Sequence, residues 1–120
     1  MAKLNMAGPF ELTLDDINEN VTKTSSGNYA LGYVRENGVF VVQYVGRADQ
    51  DVALRLKQHV KESYSHFKFS YASSPRNAFL KECENYHDFG GKTKLKNKYH
   101  PDRPEGTNWK CPNSDCNELD

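Results

Sequence analysis

The dipeptide Asn37-Gly38 separates two runs rich in β-branched and aromatic residues, Tyr29 to Val34 and Val39 to Val45. Asn-Gly supplies the positive φ values that a type I′ turn requires, so the two runs are predicted to fold back on each other as a β-hairpin. Within the second arm Phe40-Val41-Val42 is apolar at consecutive positions. That is the pattern of a strand covered on both faces, and it predicts a central place in the sheet. After Gly46 the chain turns, and Asp49 is predicted to cap a helix on which Val52, Leu56 and Val60 recur every four positions. Arg55 and His59 lie on a second stripe of that helix and project from one face toward the end of the hairpin.

The flanking segments extend this unit. Alternation in His66 to Ala72 places Phe67, Phe69 and Tyr71 on one face of a third strand. Ser74-Pro75 is a helix start, with Ser74 as cap and Pro75 in the first turn. On that helix Ala78, Glu82 and Asn85 share one face, and Phe79, Cys83 and Tyr86 form the apolar one. Upstream, a flexible start leads to a short helix capped by Thr13, with Leu14, Ile17 and Val21 as its apolar stripe. Downstream, Gly90-Gly91 breaks the second helix, and the alternate lysines Lys92, Lys94, Lys96 and Lys98 predict an extended basic loop. The expected architecture is α/β (α+β), a small three-stranded antiparallel sheet flanked by helices. It divides into a 1–24 extension, a 25–104 core domain and an irregular 105–120 tail packed on the domain.

A chain of 120 residues fits one small domain. Apolar residues make up 37%, so the core is modest and leaves room for stabilisation by a partner or a metal. The longest apolar run is far short of the roughly 20 residues of a membrane span, and the start lacks a signal-peptide core. A soluble, cytoplasmic protein without membrane partners is expected. The net charge is zero, but Ser73 to Pro104 carries seven Lys or Arg against four Asp or Glu, and Glu105 to Asp120 one against four. A basic middle between acidic ends suits a phosphate polymer. Three cysteines without a secretion signal predict thiols rather than a disulfide framework. Cys111 and Cys116 with His87 and His100 leave a zinc site open, at a spacing that matches no common pattern.

At five places in this frame the sequence resembles the GIY-YIG nuclease superfamily. Gly27-Asn28-Tyr29 is similar to its first motif and Tyr44-Val45-Gly46 to its second. Arg47, Arg55 and His59 stand where many members have a basic residue, an arginine and a histidine. Asn28 departs from the usual apolar residue and is expected to point away from the site. Ala78 to Glu82 resembles the helix segment that places an alanine four residues before the metal-binding glutamate. Glu84, about 200° away around the helix, is the competing carboxylate. Asn97 corresponds to the family asparagine, with Asn108 as the alternative.

The resemblance implies a GIY-YIG-like endonuclease fold hydrolysing phosphodiester bonds in DNA, double-stranded or branched, with one Mg²⁺ (or Mn²⁺). It implies Tyr29 as general base and Tyr44 as positioner of water or phosphate. Arg47 would belong to the catalytic set, Arg55 neutralise the scissile phosphate, Glu82 hold the ion, and Asn97 orient the glutamate or a phosphate. A tyrosine of ordinary pKa, roughly 10, is a poor base at neutral pH, so Arg55 or His59 must lower it or take over its proton, and His59 itself is the alternative base. Lys92, Lys94, Lys96, Lys98 and Arg103 are the expected DNA contacts, with a protein partner as a further source of specificity. The different-class alternative is a nucleic-acid-binding module that keeps the fold without turnover.

Overall fold

The computed structural model describes residues 4–97 together with Pro101, Gly106, Thr107, Trp109 and Cys111. Lys98, His100, Arg103, Asn108, Cys116 and the side chain of Lys92 lie outside the described residues. In chain order the elements are β1 (Ala7–Glu11), α1 (Leu14–Asn20), β2 (Gly27–Val34), β3 (Phe40–Ala48), α2 (Val52–His59), β4 (His66–Tyr71), α3 (Pro75–Asp88) and a single helical turn, α4 (Gly91–Lys94). They form an α+β fold around a four-stranded sheet of order β1-β4-β2-β3, antiparallel throughout.

The hairpin forms as its sequence dictates, but its turn is different. Gly38 alone of the loop residues takes a positive φ, 85°. Arg35 N–H donates to the Val39 carbonyl at 2.9 Å and Gly38 N–H to the Arg35 carbonyl at 2.8 Å. This is a three-residue loop with glycine in the left-handed position, not a type I′ turn.

The sheet has four strands, not three. The segment read as a flexible start contains β1, a short edge strand whose Phe10 packs on Phe67 with ring centroids 5.5 Å apart. The expected centre of the sheet also moves. β2 is central, paired on both sides, and β3 is an edge. The apolar Phe40 and Val42 are covered by other means, packing with Leu95, Tyr86 and Phe89 on one face of the sheet. Apolar faces therefore reported layers above and below the strand, not neighbours beside it.

The two faces carry separate clusters. On one, Tyr29, Leu31, Phe67 and Phe69 pack against Ile17 and Val21 of the α1 segment and Val52 and Leu56 of α2. Thr13 caps α1 as predicted, accepting from Asp16 N–H at 3.2 Å. Leu14, however, is 52% exposed, and the buried Leu12 takes its place. The cap of α2 is Asp51, not Asp49: its carboxylate accepts from Leu54 N–H at 3.2 Å. On the other face Ala30 and Val45 meet Tyr86, Leu4 and Leu95. Ser74 caps α3, accepting from Asn77 N–H at 3.1 Å, with Pro75 in the first turn. α3 buries both of its predicted faces, Ala78, Glu82 and Asn85 as well as Phe79, Cys83 and Tyr86. After Gly90, at φ 97°, the lysine segment winds into α4 instead of extending. Among the described residues no helix is long and apolar enough to cross a membrane.

Phe67 is fully buried, so Phe67→Ala is expected to destabilise the fold by about 3–5 kcal/mol in chemical denaturation. Leu14→Ala, on the exposed side of α1, should change stability by less than about 0.5 kcal/mol. A comparable loss from Leu14→Ala would contradict its placement at the surface.

Candidate active site

A β-bulge decides which side chains of β3 can meet Tyr29. Leu31 pairs with Tyr44, but Gly32 pairs with Val42, so Gln43 is the extra residue in the ladder. Strict alternation would put Phe40, Val42, Tyr44 and Gly46 on one face. The bulge reverses the parity, as bulges do when they re-aim side chains. Phe40, Val42, Val45 and Arg47 lie on the α3 side, and Tyr44 and Gly46 on the α2 side with Tyr29. Gly46 pairs directly with Tyr29 across the strands. A Cβ at Gly46 would run into the hydroxyl end of the Tyr29 ring, so the glycine is what lets the ring lie flat over the strand.

A cleft of about 580 Å³ opens at this end of the sheet, lined by Tyr29, Tyr44, Arg47, Asp49, Arg55 and Glu82 among others. Tyr29 and Tyr44 stack with ring centroids 6.4 Å apart and planes 19° from parallel. Tyr29 Oη lies 2.8 Å from His59 Nε2, and His59 Nδ1 lies 2.8 Å from the Glu62 carboxylate. Burial raises the Tyr29 hydroxyl well above its ordinary range, Tyr44 adds to this, and the Arg55 guanidinium beside it pulls the other way. Burial likewise raises Tyr44, helped by the charge of Glu82. Arg55 is exposed on α2 and hydrogen bonds to Gln58 at 3.2 Å.

The other wall is ionic. Arg47 donates from Nη1 to Glu82 Oε1 at 2.7 Å and from Nε to Asp49 Oδ1 at 2.9 Å, with its guanidinium 5.3 Å from the Phe79 ring centroid. Burial opposes the charge of Arg47, and Glu82 and Asp49 together outweigh that and raise it. Glu82 has only a tenth of its side chain exposed. Its burial pushes the carboxyl up to about 7 against the pull of Arg47. Among the described residues no three or more His, Cys, Asp or Glu side chains gather into a metal cage. A single-carboxylate site is a different requirement: Arg47 engages one oxygen of Glu82, and the other is the atom an ion would take, with water and phosphate completing its shell.

Tyr29, Tyr44, Arg47, Arg55, His59 and Glu82 thus come together, from β2, β3, α2 and α3. Asn97 does not face the cleft. Its amide accepts from Val45 N–H at 3.1 Å and donates to the Val45 carbonyl at 2.8 Å. The amide is engaged with the β3 backbone rather than with Glu82. Lys94 and Lys96 are exposed, and Lys96 Nζ stands 5.4 Å from the Tyr64 ring centroid. Of the zinc alternative, Cys111 and His87 are half-buried, while Cys116 and His100 fall outside the described residues.

Three residues whose contacts the sequence pattern did not foresee shape the site. Asp49, displaced as a cap, holds Arg47. Asn28 is buried on the α3 side, as expected for a side chain turned from Tyr29, and ties β2 to the first turn of α3 by donating to the Ala78 carbonyl at 2.8 Å. Glu62 follows α2, with no periodicity to mark it. No family model, curated protein or solved structure matches the chain.

Gly46→Ala is expected to displace the Tyr29 ring and destabilise the protein by about 1–3 kcal/mol, the range for overpacking; unchanged Tyr29 and His59 NMR signals would refute the contact. A second expectation concerns pH. Since the folded state raises Glu82, its contribution to stability is whole below the ordinary value of 4.5 and is lost as pH rises through about 7. Melting temperatures of wild type should therefore fall relative to Glu82→Gln across that window and run parallel above it. Parallel curves throughout would mean that Arg47 keeps Glu82 ionised at all these pH values.

Proposed function

We propose that the protein is a metal-dependent endonuclease of GIY-YIG type, hydrolysing phosphodiester bonds in double-stranded or branched DNA. The observation that carries this reading is the convergence of Tyr29, Tyr44, Arg47, Arg55 and Glu82 on one cleft, with His59 against the Tyr29 hydroxyl. Phosphodiester hydrolysis needs a base for the attacking water, positive charge for the developing anion and a fixed geometry between them. The cleft offers each from a different element.

The raised Tyr29 hydroxyl is unsuited to act as a standing tyrosinate. It is suited to pass a proton on, because its own proton can move to His59 as it accepts one from water. Tyr44 packs beside it and confines the water. Arg55 faces the cleft from α2 as a donor to the phosphate. Glu82 would hold one Mg²⁺ or Mn²⁺ in the manner of a lone carboxylate, and the ion would supply positive charge at the leaving oxygen. Exposed Lys94 and Lys96 would contact the phosphate backbone without reading sequence.

The test is incubation with supercoiled, branched and single-stranded DNA, with Mg²⁺ or with EDTA. Wild type should cut at least one duplex or branched substrate with Mg²⁺ and none with EDTA. Tyr29→Phe should bind DNA normally and cut about 10²–10⁴-fold more slowly, the usual contribution of a general base. Glu82→Ala should lose cleavage and keep affinity, and Glu84→Ala should cut like wild type. DNA binding without cleavage under every condition would make the protein a binding module on a nuclease-like fold.

A further inference from the structure

His59 is held from both sides, with Tyr29 Oη at 2.8 Å from Nε2 and the Glu62 carboxylate at 2.8 Å from Nδ1. An ionised carboxylate only accepts hydrogen bonds. The proton of a neutral imidazole is therefore drawn to Nδ1, which leaves Nε2 as the acceptor for the Tyr29 hydroxyl. Glu62 reaches this position because the chain turns directly after α2, where Glu62 N–H donates to the His59 carbonyl at 2.9 Å. The result is a line of groups running from the cleft, through a buried tyrosine and a buried imidazole, to a half-exposed carboxylate at the surface.

We infer that Glu62 is a positioning residue, fixing the His59 tautomer that allows Tyr29 to hand its proton inward while it takes one from the attacking water. The inference rests on the nuclease reading. In the step, water oxygen forms the new bond to phosphorus as one of its protons moves to Tyr29 Oη. The former Tyr29 proton moves to His59 Nε2. The bond from phosphorus to the leaving oxygen breaks with its electron pair on that oxygen, which takes a proton from solvent. His59, now an imidazolium between Tyr29 and Glu62, returns its extra proton to solvent, and the net change is one water consumed per bond cut. With the opposite tautomer Nε2 carries the hydrogen, and this transfer is closed.

A plain ion pair at the end of a helix is the competing account, and it makes a different forecast. A pair with one partner half-exposed carries little stability, and on that account its removal would alter neither the tautomer nor the rate. Nitrogen-15 spectra of the His59 ring separate the two without reference to cleavage. Wild type should show the Nδ1–H form. Glu62→Gln keeps an acceptor oxygen but lacks the charge, and Glu62→Ala lacks both. The Nδ1–H population should fall from wild type to Gln to Ala. Cleavage should fall in the same order, reaching about 10–100-fold in Ala as for other outer partners of functional histidines, with the dissociation constant for DNA unchanged. If wild type cuts DNA and Glu62→Ala cuts equally well, or if the tautomer is the same in all three proteins, Glu62 has no positioning role and the nuclease reading stands. If wild type cuts no nucleic acid, the nuclease reading fails, and the relay fails with it whatever the spectra show.

Discussion

A carboxyl group shut away from water must be neutralised or given a counter-charge, and in this protein that constraint falls on Glu82. Arg47 meets it with a charge-assisted bond of 2.7 Å and is itself steadied by Asp49. A buried pair of this kind contributes little net stability, yet removing one partner strands the other. Its effect is positional. Arg47 lies on an edge strand and Glu82 on a helix packed across it, so the pair fixes the distance between β3 and α3 at the mouth of the cleft. Phe79, packed under the guanidinium, and Asn28, bonded to the first turn of α3, hold the same junction from the apolar and polar sides.

The cleft can draw on both faces of the sheet only because β3 is an edge. A strand with neighbours on both sides would screen Tyr44 and Gly46 from Arg47, three residues or fewer along the chain. The bulge at Gln43 then decides which residues face which way, and the Asn97 amide pairs with the outer edge of β3 at Val45 as a fragment of a further strand would. The edge is thus blunted behind the cleft by the Asn97 side chain together with Lys96 N–H, which donates to the Gln43 carbonyl at 2.6 Å. Asn97 serves the site by holding the backbone from which Tyr44 and Arg47 project.

Much of this was legible in the sequence. Ser74-Pro75, the alternation of Phe67, Phe69 and Tyr71, and the two runs around Asn37-Gly38 each carry a local physical signal strong enough to fix an element. Where reading failed, two signals competed or none existed. Asp49 and Asp51 are both able caps, and only the position of Arg47 decides which is free for the helix. β1 contains Gly8-Pro9 and has mostly exposed side chains, so it has neither the alternation nor the β-branched content of a strand, as suits a short edge. Alternate lysines suggest extension when read as a pattern of two, although one helical turn accommodates Lys92 and Lys94 equally well. Of the site, helical spacing put Arg55 and His59 on one face, and the resemblance in short motifs singled out Tyr29, Tyr44, Arg47 and Glu82. The contacts of Asp49, Asn28 and Glu62 were not legible, because each acts through a partner distant in sequence or through a turn.

Tyr44 and Arg47 are near neighbours on one strand, but their side chains belong to opposite layers of the molecule. Tyr44 packs with the cluster built on α1 and α2, and Arg47 reaches the layer of α3, two assemblies joined chiefly through the sheet between them. A molecule seated in the cleft and touching both residues would act as a rivet through the edge of that sheet. Whatever it gained in contact energy would be shared by the packing on both faces of the sheet, so occupancy would stabilise the two layers together.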